Sequence, residues 1–317
     1  MPDVKLILEA IAAAAGLAAA ILLACGWPWK MPWPKLVAAG WAIGVGNGFF
    51  VGCLLLGLKP RWPPQEGVDR LLFLLLPATI VVEILGAIVS RPRWLAWALR
   101  AAIAVAAGRI LLHGSVYLVP SSVPVDPASP GSHAWSLSET WLYLGGMAAG
   151  LAVVWILLER LATRSLSRVV PLALALACGA AGVTIMLSGY ATGGQMGFPL
   201  SGAIGAAALA SLVSPKLDES AGAIGVGVVM LFAMLVLGRF FGDLTTPHAV
   251  LLFFAPLLAW VGELPLSKKL RSWQRGLLQL LVVAIPLAIV VVQAQRQFAA
   301  DSKSADPASD PYSSYYK

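Results

Sequence analysis

Long uninterrupted apolar runs alternate with short polar stretches along the chain. The runs lack both the period of two of a half-buried strand and the single polar face of a surface helix. A hydrocarbon core of about 30 Å takes about 20 residues at a rise of 1.5 Å each. Segments near that template are Val4 to Cys25, Leu36 to Leu58, Leu71 to Val89, Trp94 to His113, Thr140 to Leu158, Val169 to Leu187, Phe198 to Val213, Gly222 to Gly238, Pro247 to Leu264 and Leu277 to Val292. The seventh and ninth are short, so the count runs from eight to ten. Continuous runs, as opposed to alternating ten-residue segments, predict helices and not a barrel. The predicted fold class is therefore all-α: a polytopic bundle of about ten transmembrane helices forming one domain over residues 1–299. Residues 300–317 are polar, contain Pro and Ser, and are predicted to be a disordered tail.

Composition sharpens the class. Of 317 residues 59% are hydrophobic and 12% charged, about half the charge of an average soluble protein, roughly 25%. Lys and Arg exceed Asp and Glu by 22 to 15, and in so apolar a chain that excess marks cytoplasmic loops; no nucleic-acid partner is expected. The lipid bilayer is the partner the composition calls for, and oligomerisation is not legible. Cys25, Cys53 and Cys178 have no metal-ligand spacing and imply no disulfide framework. There is no HExxH, CxxC or GxSxG pattern, and no Walker lysine or Rossmann acid follows the glycines, so no cofactor and no metal are expected.

Punctuation and loop charge give a topology. Ser136 and Glu139 form an S-x-x-E capping box, and Thr246 followed by Pro247 reads as an N-cap with Pro at the first helical position. Trp27, Trp29, Trp33, Trp62, Trp94, Trp135, Trp141, Trp260 and Trp273 fall near span ends, as an interfacial aromatic belt does. Alternate loops collect Lys30, Lys35, Arg91, Arg93, Arg160, Arg164, Arg168, Lys216, Lys268, Lys269, Arg271 and Arg275 on one side, against Lys59, Arg61, Arg70 and Arg239 on the other. That bias predicts a multi-pass protein of the cell (inner) membrane with the first set cytoplasmic and both termini outside, although the loop from Lys59 to Arg70 runs against it. Leu22-Leu23-Ala24-Cys25 resembles a lipoprotein lipobox, but Glu9 within the run and the length of the run favour an uncleaved first helix.

The chain also resembles itself. Ala42 to Gly46 recurs as Ala223 to Gly227, with Leu54, Leu56 and Gly57 matching Leu235, Leu237 and Gly238, all at a shift of 181. In the next span Leu71-Leu72-Phe73, Val81, Glu83 and Arg91 match Leu251-Leu252-Phe253, Val261, Glu263 and Arg271 at a shift of 180. The matches predict a parallel repeat of helices 1–4 (residues 4–113) onto helices 7–10 (residues 198–292). Chance matches are cheap in a sequence so rich in Ala, Gly, Leu and Val; the constant offset and the recurring intramembrane Glu carry the inference. Pro77 and Pro256, and Gly44, Gly46, Asn47 and Gly48, mark where such helices would be interrupted.

Ionisable groups inside spans cost several kcal/mol unless paired or hydrated. Glu83 lies about 12 Å before Arg91 and Arg100 about 13 Å after it on the returning helix, so the two reach one depth. The simplest reading is an ion pair, with a transport role as the alternative. Glu263 is placed to pair with Arg271 or Arg275 nearer the surface. Arg109 lies toward the outer face with His113 one turn on, and Glu9 is at a comparable level to neutralise it; snorkelling of Arg109 is the other reading. His113, His133 and His248, with Asp126, Glu139 and Asp243, fall on the outer side in no metal-binding pattern. The glycine-rich stretch from Ser188 to Pro199 reads as a cavity lining or a plain turn. The binding candidates are thus Glu83, Arg100, Asn47, Glu263, Arg109 and Glu9, with no catalytic residue assigned. The expectation that follows is a secondary transporter or permease for a small solute. A non-catalytic membrane scaffold or assembly subunit is the alternative, and an enzyme on a lipid-linked substrate at the outer face comes third.

Overall fold

The computed structural model describes residues 3–26, 34–88, 93–118, 135–164, 168–213, 220–265 and 267–304. Trp27, Trp29, Trp33, Lys30, Arg91, Asp126, His133, Lys216 and residues 305–317 lie outside the described residues. Regular structure among the described residues is entirely helical: α1 (Val4–Gly26), α2 (Pro34–Leu55), α3 (Gly67–Ile88), α4 (Arg93–Leu111), α5 (Leu137–Ala162), α6 (Val169–Leu187), α7 (Gly197–Ala210), α8 (Ala221–Phe241), α9 (Thr246–Glu263) and α10 (Ser272–Ser304). All but α7 are long and apolar enough to cross a membrane. The protein is a multi-pass helical membrane protein. With 14 residues, α7 covers only about 21 Å.

Helix ends behave as the punctuation predicts, with one shift. Ser136 caps α5: its hydroxyl accepts from the Glu139 amide at 3.3 Å, and its own amide donates to Glu139 Oε2 at 2.8 Å. At α9 the cap is Thr245 and not Thr246. Thr246 instead accepts from Arg239 Nε at 2.8 Å, which ties the end of α8 to the start of α9.

The helices gather around α8. It is apolar from Ala221 to Gly238, and 94% of its spanning window is buried, as expected of a helix hydrophobic on every side. α2, α3, α4, α5, α6, α7 and α9 all pack on it. α1 stands outside this ring against α2 and α7. The α1–α2 seam is a ridge of small residues: Gly40, Gly44, Gly48 and Gly52 of α2 meet Cys25, Ala18, Ala14 and Ala10 of α1. Side chains four apart share a helix face, so this spacing lets two backbones approach closely. α2 is one unbroken helix, and Gly44 and Gly48 serve packing in place of the interruption expected there.

Interruptions occur elsewhere. α3 has a π-helical segment, Leu71–Leu75, before it continues as α-helix from Leu76. Pro77 lacks an amide hydrogen and its ring crowds the carbonyl of Phe73, so the widened turn relieves the clash. α9 changes from α to 3-10 at Ala255–Glu263, with Pro256 in its first turn. The glycine-rich stretch before α7 folds into a short helix, Ala191–Gln195, pressed on α6 where Gly182 meets Gly194 and Gly197. α10 runs 33 residues to Ser304, past the point where the tail was expected to begin. At about 50 Å it exceeds a bilayer core, so its ends stand in the polar zone.

Alternate connections come together at opposite ends. At one, Arg168 Nη2 donates to the Ser211 carbonyl at 3.0 Å and Arg164 lies over Trp260; this is the end rich in Lys and Arg, the basic end. At the other, the Asp243 amide donates to Ser188, and Phe240 packs on Tyr117 and Trp135. Arg70 belongs to that second end, where it donates to the carbonyls of Gln65 and His113. Asp69 beside it accepts from the amides of Arg61, Gln65 and Glu66. Arg70 and Arg239 are thus structural tethers between loops.

Candidate functional site

α3 and α4 form an antiparallel hairpin at the basic end. Glu83 lies about 7.5 Å inside the end of α3 and Arg100 about 10 Å inside the start of α4. They form the pair that their depths predict: Arg100 Nε donates to Glu83 Oε1 at 2.9 Å and Nη2 to Oε2 at 3.0 Å. This two-toothed geometry suits a planar guanidinium and a carboxylate. Glu83 is 2% exposed and Arg100 7%.

The remaining face of the guanidinium is taken by a second acid. Arg100 Nη1 donates to Glu159 of α5, whose side chain is 22% exposed. Two indoles complete the enclosure, with the Arg100 Cζ 5.0 Å from the Trp97 ring centroid and 5.5 Å from that of Trp155. Gly225 of α8 forms the floor: a Cβ there would stand 2.4 Å from Glu83 Cδ. One cation therefore faces two carboxylates in a shell of apolar helix. The Trp155 Nε1 is buried and has no hydrogen-bond partner among the described residues.

Sequence reasoning missed Glu159, Trp155 and Gly225 as members of this site. The apolar run ends at Leu158, which by sequence places Glu159 beside Arg160 in the following loop. α5 continues to Ala162 and carries the acid to the depth of Arg100. An acid closing a span, with an indole one turn before it, was the available signal.

The other candidates stand apart. Asn47 is exposed on α2, and its amide donates to its own helix at the Ile43 carbonyl, 2.8 Å away. Glu9 does not neutralise Arg109: it lies 3.9 Å from Lys5 on the exposed face of α1. Arg109 is exposed on α4 and forms no ion pair among the described residues. α1 packs on α2 and α7, so the comparable level read from the sequence does not bring these two together. Glu263 pairs with neither Arg271 nor Arg275; its Oε1 and the Arg275 Nε are both buried without partners among the described residues. Near them the fully buried Gln279 donates to the Ala259 carbonyl at 2.7 Å, packed against Gly262 of the 3-10 turn.

At the opposite end a cleft of about 200 Å³ is lined by residues including Ser188, Gly189, Asp243, His248, Gln297 and Asp301. Two residues of the glycine-rich connection thus line a cavity. His248 Nε2 meets Gln293 Oε1 at 3.1 Å, while His113 is exposed, so these histidines do not converge. Among the described residues no three His, Cys, Asp or Glu side chains are arranged to hold a metal ion. Tyr190, in the same connection, packs on Gly193 and Gly242, and burial, joined by the charge of Glu66, pushes its phenol up to about 12. From Gly225 at the ionic cluster to Phe241 beside this cleft is about 24 Å along α8. No protein-family model, curated protein or solved structure matches the chain.

Proposed function

We propose that the protein is a secondary permease for a small solute in the cell (inner) membrane, with the basic end cytoplasmic and both termini outside. The observation that carries this reading is the Glu83–Arg100–Glu159 cluster, built from three helices at membrane depth, on an α3 whose other half is irregular. Embedded ionisable groups are expensive and accompany solute or ion pathways, and interrupted helices are where permeases place their sites. The 3-10 half of α9 and the short α7 supply further interruptions. The parallel duplication over one domain belongs to the same proposal. α2 and α8, which carry its strongest match, are both deeply buried.

The test is accumulation of a panel of labelled amino acids, sugars, nucleosides and organic cations in proteoliposomes. One class should enter above the level of empty vesicles, and Glu83→Gln should reduce that entry at least tenfold in protein that stays folded. Epitope tags accessible only from outside at both ends test the orientation.

A membrane scaffold is the second reading, favoured by the closure of Glu83 against Gly225 and the burial of α8. It predicts no accumulation of any solute class. Under it, Glu83→Gln costs folded protein that the double change Glu83→Gln, Arg100→Gln restores.

A further inference from the structure

We propose that Glu83, Arg100 and Glu159 hold one exchangeable proton between two carboxyl groups, taken up and released at the basic end through Glu159. The charge count is the first reason. Arg100 cannot lose its own proton, so with both acids ionised the cluster carries one uncompensated negative charge where Glu83 and Arg100 are almost wholly out of solvent. Two carboxylates that share one cation, one of them buried, favour a shared proton, because a like charge close by and burial both disfavour the ionised form.

Among the described residues the surroundings do not supply a second positive charge. Among the described residues no ion pair other than those with Arg100 reaches either carboxylate. α8 presents Gly225, and α2 meets α3 with Gly46 against Ile80. On α5, Arg160 is exposed and Arg164 lies over Trp260. Arg168, at the start of α6, donates to Ser211; the 3-10 half of α9, which packs on α5, carries another acid, Glu263, while His248 lies in its other half. Arg91 and the side chains of Lys35 and Arg93 lie outside the described residues.

An independent observation is the indole of Trp155. It is buried beside the guanidinium with its Nε1 hydrogen unpartnered, a donor set for an acceptor such as a water in the proton path. Glu159, three residues from the end of α5 and partly exposed, is the group that water can reach. In the loading step a hydronium at the basic end passes its proton to a Glu159 oxygen. An O–H bond forms, water is left, Arg100 stays charged, and the cluster becomes neutral; release reverses each change.

The proposal deepens the permease reading by naming its coupling ion, and its test requires no transport. The full chain is purified into lipid nanodiscs, and the infrared stretching band of protonated carboxyl groups is followed with pH. Wild type should show one carboxyl's worth of band that persists above the range where exposed acids titrate and disappears at higher pH. Glu159→Gln should remove it, because Glu83 and Arg100 then form a neutral pair. Glu159→Ala, at the partly exposed rim, serves if the first variant does not fold. Glu263→Gln should leave the band in place. A wild type with no such band overturns the proposal, as does a band that survives loss of Glu159. A titrating band in a protein that accumulates no solute retains the proton site and removes the permease reading.

Discussion

Gly225→Ala is the sharpest probe of how the ionic cluster is seated. The added Cβ would lie 2.4 Å from Glu83 Cδ, 2.5 Å from Oε1 and 2.8 Å from Cγ, whereas carbon atoms rest at about 3.5 Å or more. The carboxyl must retreat by about 1 Å, and hydrogen bonds weaken quickly beyond about 3.2 Å. Its two bonds to Arg100, now 2.9 and 3.0 Å, would then be broken. Overpacking alone costs about 1–3 kcal/mol. Breaking a buried ion pair costs about 3–5 kcal/mol when one partner is lost outright, which is the upper bound here. The better helix propensity of Ala returns about 1 kcal/mol. A net loss of about 2 kcal/mol or more is expected, read as reversible unfolding of the purified protein in mixed micelles. Repeating the change in a Glu83→Ala background, where the colliding carboxyl is gone and Arg100 keeps Glu159, should recover most of the loss and give a coupling of about 1–3 kcal/mol. A Gly225→Ala protein as stable as wild type, or one equally damaged in both backgrounds, would refute the seating of Glu83 on α8.

Three further outcomes follow from other contacts. Arg100→Lys replaces a planar fork with a compact ammonium that cannot reproduce the paired bonds to Glu83 while reaching Glu159; it should lower stability by about 1.5–3 kcal/mol in the same unfolding assay. Gly48→Leu, aimed at the Ala14 carbonyl 2.5 Å from its Cβ position, should separate α1 from α2 and reduce the monodisperse fraction on gel filtration, while Gly16→Leu, with nothing within 4 Å, should behave as wild type. Tyr190, its phenol raised to about 12, contributes stability that is fully present below the ordinary phenol value near 10 and is lost as pH rises through its folded value. Tyr190→Phe should therefore flatten the fall in unfolding midpoint over that alkaline window, and an unchanged slope would show that the phenol is not held neutral by burial.

Much of this protein is a matter of one coordinate, depth along the helix axes, and depth is legible in sequence. Apolar run lengths mark out the spans, the S-x-x-E at Ser136 caps α5 as read, and counting residues about one turn places Glu83 opposite Arg100 because a hairpin joins them locally. Even there, irregular backbone was legible only as proline: that Pro77 would yield a π turn and Pro256 a 3-10 half-helix depends on the neighbours that accept the altered shape.

The second coordinate, where each helix stands around the bundle, was decided by tertiary packing alone. The sequence puts Glu9 and Arg109 at a comparable level, yet α1 packs on α2 and α7, and Glu9 turns to Lys5. Glu159 became a partner of Arg100 because α5 packs beside α4 and continues past Leu158. Gly225 became the floor of the site because α8 fills the centre. Position around the bundle comes from which surfaces fit, a property of pairs of helices brought together from distant parts of the chain, whereas the apolar length of a span is a property of that span alone.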